Sequence, residues 1–174
     1  DENTNFKSVN NILYSFDGKT IYRYPHNGVT DCVIEEGVTQ ICDDAFGDIE
    51  TLKTVTFSKT IDYIGYKVFD GCNNLKTIYG YTNSLEQSYA KTENIEFVSL
   101  GKKVAQGVCG ERISENSSKD NAVWTLDEGI FTVTGSGKID YSYAITPMWD
   151  RYCALIETLE IKDGITEIGS DMFR

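Results

Sequence analysis

Apolar positions along this chain recur with a fixed spacing. Residues 32–54 superpose on residues 55–77 without a gap. Cys32 falls on Val55, Ile34 on Phe57, Val38 on Ile61, Ile41 on Ile64, Phe46 on Phe69 and Leu52 on Leu75. A third copy lies downstream. Its Leu159-x-Ile161 matches Cys32-x-Ile34, Gly164-Ile165 matches Gly37-Val38, Ile168 matches Ile41 and Phe173 matches Phe46. Just before it, residues 153–159 match residues 72–78, so Cys153 falls on Cys72. A repeat this short cannot bury its own apolar face; stacked copies share a continuous core, which predicts a solenoid. The apolar-x-apolar triplet of each copy predicts a short strand with its outer two residues inward and the middle one outward.

The stretches around the repeats read differently. Ile12-Leu13-Tyr14-Ser15-Phe16 and Lys19-Thr20-Ile21-Tyr22-Arg23-Tyr24 flank Asp17-Gly18, which predicts a hairpin over residues 10–25 that stacks on the first repeat. Ser84 is placed to cap a short helix, with Gln87 completing a capping box. Leu85 and Tyr89 would face the array, and residues 95–100 alternate like a strand that closes it. Residues 114–121 are polar and aperiodic, as in a linker. Asn116-Ser117-Ser118 is a glycosylation triplet, meaningful only in a eukaryotic secretory pathway. Trp124-Thr125-Leu126 and residues 130–134 flank Asp127-Glu128-Gly129, a second hairpin signal. Thr146-Pro147 then opens a helix whose Trp149, Tyr152, Cys153 and Ile156 form one apolar face.

Composition narrows the function. The net charge is −11, and both halves are acidic: residues 1–100 carry 8 basic and 15 acidic side chains. Phosphate contact needs a basic stripe, so no nucleic-acid partner is expected. Docking on anionic lipid is disfavoured for the same reason. No apolar run approaches the ~20 residues of a membrane span, so no membrane insertion is expected. The start Asp1-Glu2-Asn3-Thr4 reads as a mature or trimmed terminus from which a signal peptide has been removed.

Candidate chemistry is sparse. The five cysteines lack close pairing and CxxC spacing, and His26, the only histidine, lies in a turn. No zinc set, nucleophile–base pair or calcium loop appears, so catalytic residues, metal ligands and cofactors are all expected to be none. Carboxylates such as Asp43-Asp44, Glu35-Glu36 and Asp127-Glu128 scatter over loops, as surface charge does. The repeat register puts Cys32, Cys72 and Cys153 on apolar positions, so buried and inert thiols are expected there. Cys42 aligns with Gly65 and Gly169, while Cys109 lies outside the repeats and is the best candidate for a reactive thiol.

The segments from Val33 to Phe46 and from Phe69 to Ile78, with the cadence I-x-x-x-x-F-x-x-C-x-x-L-x-x-I, resemble BspA-type leucine-rich repeats. Cys72 has Ile49 as its counterpart, a swap of one core residue for another. Residues 109–149 resemble the β-rich lead-in to such repeats in surface proteins of gut anaerobes. The resemblance implies a bacterial, secreted or cell-surface protein, non-enzymatic, acting in adhesion or contact with host proteins. The expected fold is a leucine-rich-repeat solenoid of short strands with irregular or short helical returns, β-rich, with β-hairpin elements. Three regions are expected: residues 1–101, a first array with hairpin and cap; 102–122, a linker; and 123–174, a hairpin and helix leading into a second, truncated array.

Solenoids present an extended concave surface for binding. Its candidate contact residues are Val33, Thr56 and Tyr79, flanked by Glu35 and Ser58, with Glu160 and Lys162 in the second array. The partner would be an extracellular protein or a glycan, with exposed Tyr22, Tyr24, Tyr141 and Tyr143 as the condition for the glycan. A structural spacer is a further alternative, and an open last repeat would favour self-association.

Overall fold

The structure is a computed structural model that describes residues 4–108, 122–139 and 148–169. It divides into two compact units, residues 1–102 and 103–174.

The first unit is a solenoid with two sheets. One contains β1 (Phe6–Val9), β2 (Ile12–Ser15), β3 (Thr20–Arg23), β5 (Gln40–Ile41) and β7 (Tyr63–Ile64). The other contains β4 (Asp31–Val33), β6 (Thr54–Thr56), β8 (Thr77–Thr82) and β9 (Glu96–Lys102). In this second sheet all neighbours are parallel, and Cys32 pairs with Val55 and Val55 with Ile78. That register is the 23-residue spacing of the sequence. Backbone bonds repeat with it: Asp44, Phe46 and Asp48 donate their N–H to the carbonyls of Tyr66, Val68 and Asp70 one coil on. Cys32, Val55 and Ile78 from one sheet, Ile21 and Ile41 from the other, and Phe46 and Phe69 from the returns fill one core.

The hairpin stacks on the first repeat through parallel pairing of β3 with β5. It gains a strand beyond the predicted two, β1, turned by Asn10 and Asn11 at φ 53° and 64°. Two successive left-handed residues suit the tight turn of a twisted hairpin, and asparagine tolerates that conformation best after glycine. At the other end α1 (Leu85–Thr92) caps the array as expected: the Ser84 hydroxyl accepts from Gln87 N–H at 3.2 Å, and Leu85 is buried. The Gln87 side chain reaches back to Asn83 N–H at 2.7 Å. One aromatic column ties cap to hairpin. Tyr24 stacks on Phe46 at 4.6 Å, Phe46 meets Phe69 at 5.1 Å, and Phe69 meets Tyr89 edge-on at 5.7 Å. Each such pair contributes about 0.5–1.5 kcal/mol beyond area burial.

The alignment of Cys42 with Gly65 has a steric reason. A Cβ on Gly65 would strike the backbone of Cys42 and Asp43 in the preceding coil. Cys42 lies one coil earlier and has room for its side chain. Cys72 fills its inward position and donates its thiol to the Phe46 carbonyl at 3.0 Å.

The second unit contains a sheet of β10 (Ala105–Val108), β11 (Val123–Asp127), β12 (Ile130–Thr134) and β14 (Thr158–Ile161). β13 (Gly137–Ile139) and β15 (Ile165–Ile168) pair separately. The hairpin of β11 and β12 forms as expected, and β12 runs parallel to β14. Trp124 stacks on Phe131 at 5.4 Å and tilts against Tyr152 at 5.6 Å, over a core with Leu126, Val133 and Leu155.

Three expectations change here. Residues 105–108, read as part of a linker, form a strand because Gln106 and its neighbours pair antiparallel with β11. The expected α-helix is a 3-10 helix over Met148–Leu155, whose Tyr152 packs on the core while Cys153 faces solvent. The tighter winding shifts Cys153 off the buried face, so it is not the inert core thiol its alignment with Cys72 suggested. Leu159 and Ile161 share the side of Phe131 and Val133, as expected of inward residues, yet are exposed. Among the described residues no strand stacks beyond β14. Cys109, residues 116–118, Tyr141, Tyr143, Thr146, Pro147 and Phe173 lie outside the described residues.

Candidate functional site: the outward face of the first array

Parallel register lines the outward residues of β4, β6, β8 and β9 into two rows. Val33, Thr56, Tyr79 and Val98 form one; Asp31, Thr54, Thr77 and Glu96 form the other. With strands about 4.8 Å apart, four residues span roughly 14 Å. Strand alternation accounts for both rows, since Cys32, Val55 and Ile78 between them point inward.

The Val33 row is apolar and aromatic. Val33 is 67% exposed, although its neighbours on both sides in sequence are buried. Tyr81, two residues beyond Tyr79, holds Lys59 over its ring at 4.9 Å, and Leu100 nearby on β9 is exposed. The Asp31 row is polar and internally bonded. Thr54 and Thr30 donate their hydroxyls to the two Asp31 oxygens, each at 2.7 Å, and Thr77 donates to Glu96 at 3.0 Å. Those hydroxyl bonds hold the Asp31 carboxyl below its ordinary pKa and keep it ionised.

Val33, Thr56 and Tyr79 therefore come together in one row. Two expected neighbours do not join them. Ser58 is buried, its hydroxyl 2.9 Å from that of Thr60, because the chain has turned inward at the coil corner. Glu35 lines a separate groove with Lys7, Ile12 and Tyr14, where the burial of Tyr14, followed by the Glu35 charge, raises the tyrosine hydroxyl pKa. Glu160 and Lys162 lie on and just past β14 in the second unit and pair with each other at 2.5 Å. Val98 and Glu96 were missed because β9 joins the sheet nineteen residues after β8, outside the repeat period. Asp31 and Thr54 carried a readable signal, lying two residues before Val33 and Thr56 with the same outward parity.

Among the described residues, buried thiols and hydroxyls are shifted away from their reactive forms. Burial pushes the Cys32 thiol up to about 11 and the Tyr89 hydroxyl up to about 12, and raises Tyr24 as well. None of these is a poised nucleophile. Among the described residues no group of three metal-ligating side chains occurs, and no helix is long and apolar enough to cross a membrane. Of the aromatics considered for sugar stacking, Tyr22 is exposed but Tyr24 is committed to Phe46.

The family model of the BspA type leucine rich repeat region, six copies, matches residues 18–108. No curated protein and no solved structure matches the chain. Repeats of this type generally build non-enzymatic scaffolds, usually in surface or secreted proteins, and suggest a protein-interaction module. The matched span covers the stacked coils, the aromatic column and the cap, and on that basis the chain belongs to the BspA-type leucine-rich-repeat family.

Proposed function

We propose that this chain is a non-enzymatic extracellular or cell-surface binding module, and that the outward face of the first array makes the contact. The observation that carries this reading is the Val33–Thr56–Tyr79–Val98 row, an outward strip with Val33 exposed and Thr56, Tyr79 and Val98 half-buried, beside a fixed row of carboxylates and hydroxyls. Protein interfaces have this makeup: a central aromatic anchor with a polar rim. The partner class supported best is an extracellular protein, with adhesion as the role.

The test is a binding screen of the whole chain against immobilised matrix proteins, mucins and a glycan array, beside a Thr56→Arg/Tyr79→Ala variant. The expected result is saturable binding to a protein that the variant loses. Binding to glycans alone would replace the proposed partner class. No binding by a folded sample would favour a spacer role.

A further inference from the structure

The first array has an open strand edge at its start. In the sheet of β4, β6, β8 and β9, β4 is an end strand, and among the described residues nothing pairs on its far side. Thr54 N–H bonds the Thr30 carbonyl, and Ile34 N–H bonds the Thr56 carbonyl. Residues 30, 32 and 34 therefore aim their backbone groups at β6, and by alternation Asp31 and Val33 aim theirs at the open edge. Later coils have this side filled. Thr54 and Thr77, which match Asp31 one and two periods on, donate N–H to the Thr30 and Lys53 carbonyls. The second unit fills it too. There Thr158 matches Asp31 and its N–H bonds the Gly129 carbonyl. β12 runs parallel beside β14, with Phe131 opposite Leu159, the counterpart of Cys32. The other sheet of the first array is longer, because β2 and β1 continue it past β3. Ile12 and Tyr14 share the inward side of that extension with Ile21. Between the extension and the turn after β4 lies a groove of about 170 Å³, with Ile12, Tyr14 and Val38 in its floor and Glu35 and Glu36 on its rim.

We infer that the β4 edge is a docking site for an extended segment of a partner protein, which adds to the sheet as a strand parallel to β4. The occupant and its direction are read from the second unit, where β12 holds that place beside the strand that matches β4. β4 is extended at all three of its residues, and none of them is left-handed. Asp31 and Val33 each offer one N–H and one carbonyl to the incoming chain. Cys32 between them is buried, and its thiol and the Tyr24 hydroxyl are hydrogen-bonded, so the segment needs a small residue opposite it. Two residues on, opposite Ile34, an apolar side chain enters the groove over Ile12 and Tyr14. Glu35 and Glu36 outnumber Lys7 around that groove and favour a basic residue beyond it. Main-chain bonds supply affinity and the places for alternate side chains supply selectivity, as in other strand-addition complexes. The inference goes beyond the outward-face reading and stands without it, because the main chain of β4 makes the bonds and the side chains of Thr56 and Tyr79 do not.

The probe is an acetylated, amidated peptide with the sequence of residues 129–138 and the change Phe131→Ala, which keeps Val133 two residues on and ends in Lys138. It is titrated into the ¹⁵N-labelled full chain and followed by amide NMR. The expected result is saturable downfield movement of the Asp31 and Val33 amides, with slowed exchange at both. The same peptide N-methylated at positions 131 and 133, whose counterparts in β12 face β14, should bind more than about tenfold more weakly. Val33→Pro removes one donor at a place where an edge strand tolerates proline, and it should weaken the parent peptide as well. The double variant Glu35→Lys/Glu36→Lys should weaken it several-fold at low salt. Tyr79→Ala should leave peptide binding unchanged, so a failed partner screen with peptide binding kept would strike the outward-face reading alone. The proposal is overturned if millimolar peptide moves neither amide, if the shifts map to Tyr79 and not to β4, or if the N-methylated peptide binds as well as the parent. It is overturned equally if a folded Val33→Pro chain binds the parent peptide unchanged.

Discussion

The two units place matching residues in matching positions and bury them to very different degrees. Cys32, Ile34 and Ile41 in the first array are 1%, 3% and 0% exposed; their counterparts Leu159, Ile161 and Ile168 in the second are 43%, 36% and 43% exposed. The local structure is nonetheless shared. Lys53 and Thr54 N–H both reach the Thr30 carbonyl, and Glu157 and Thr158 N–H both reach that of Gly129. Gly65 N–H bonds the Ile41 carbonyl, and Gly169 N–H bonds that of Ile139. The coil therefore forms from its own sequence and from the coil before it. β6 stacks on β4, whereas among the described residues no strand stacks beyond β14. In a solenoid the stabilisation of an inward residue belongs to the interface between repeats.

The largest expected effect tests that statement directly. Ile34→Lys puts an unpaired charge into a closed core and should abolish cooperative unfolding of the first unit, since removal of a buried charge from water costs several kcal/mol. Ile161→Lys, at the matching position, should cost less than about 1 kcal/mol because its side chain already meets solvent. Val33→Lys, one residue from Ile34 but outward, should also change stability by less than about 0.5 kcal/mol. Thermal melts read by circular dichroism rank the three. Equal melting of the Ile34 and Val33 variants would break the strand-facing assignment; equal melting of the Ile34 and Ile161 variants would break the contrast between the units.

A truncation gives the next largest effect. Phe46→Ala removes the centre of the column from Tyr24 to Tyr89 and should cost about 3–5 kcal/mol, the usual range for a buried aromatic. Tyr22→Ala, in the same unit but exposed, should cost a small fraction of that. Denaturant unfolding measures both, and similar midpoints would show that the column is not what ties hairpin, repeats and cap together.

The 23-residue register made most of the first array legible, because one offset fixes strand position, inward parity and the column of aromatics at once. The helix cap was equally legible, being a local affair of Ser84 and Gln87. What escaped the register was anything that broke the period. β1 depends on a turn of two left-handed asparagines, not on apolar spacing. β10 is short and finds its partner across residues 109–121. Ser58 and Glu35 flank the strand triplets where the backbone turns, so alternation no longer says which way a side chain points.

The thiols sharpen the comparison more gently. Cys72 and Cys153 align, but one is buried and bonded to the Phe46 carbonyl and the other faces solvent. Cys153 should react with a disulfide reagent in the native protein, while Cys32 and Cys72 should react only as the first unit unfolds. Peptide mapping of the labelled sites distinguishes them. Native labelling of Cys72 ahead of Cys153 would reverse the burial assigned to the two positions.

The smallest effect concerns the polar row of the outward face. Asp31 accepts from the Thr30 and Thr54 hydroxyls and its pKa is lowered from 3.8. A carboxyl lowered on folding stabilises the fold fully above its unfolded pKa, and that contribution is withdrawn as pH falls through the folded one. The window therefore lies below pH 3.8, downward from the ordinary carboxylate value. Carboxyl-detected NMR should place the Asp31 midpoint below 3.8, and Thr54→Val should bring it back up by removing one of the two donors. The lost hydroxyl leaves Val33, Thr56 and Tyr79 untouched, so partner binding at neutral pH should change little. An Asp31 midpoint that ignores Thr54→Val would mean that the hydroxyl row does not fix the carboxylate, and the polar half of the proposed contact face would then be loose rather than preorganised.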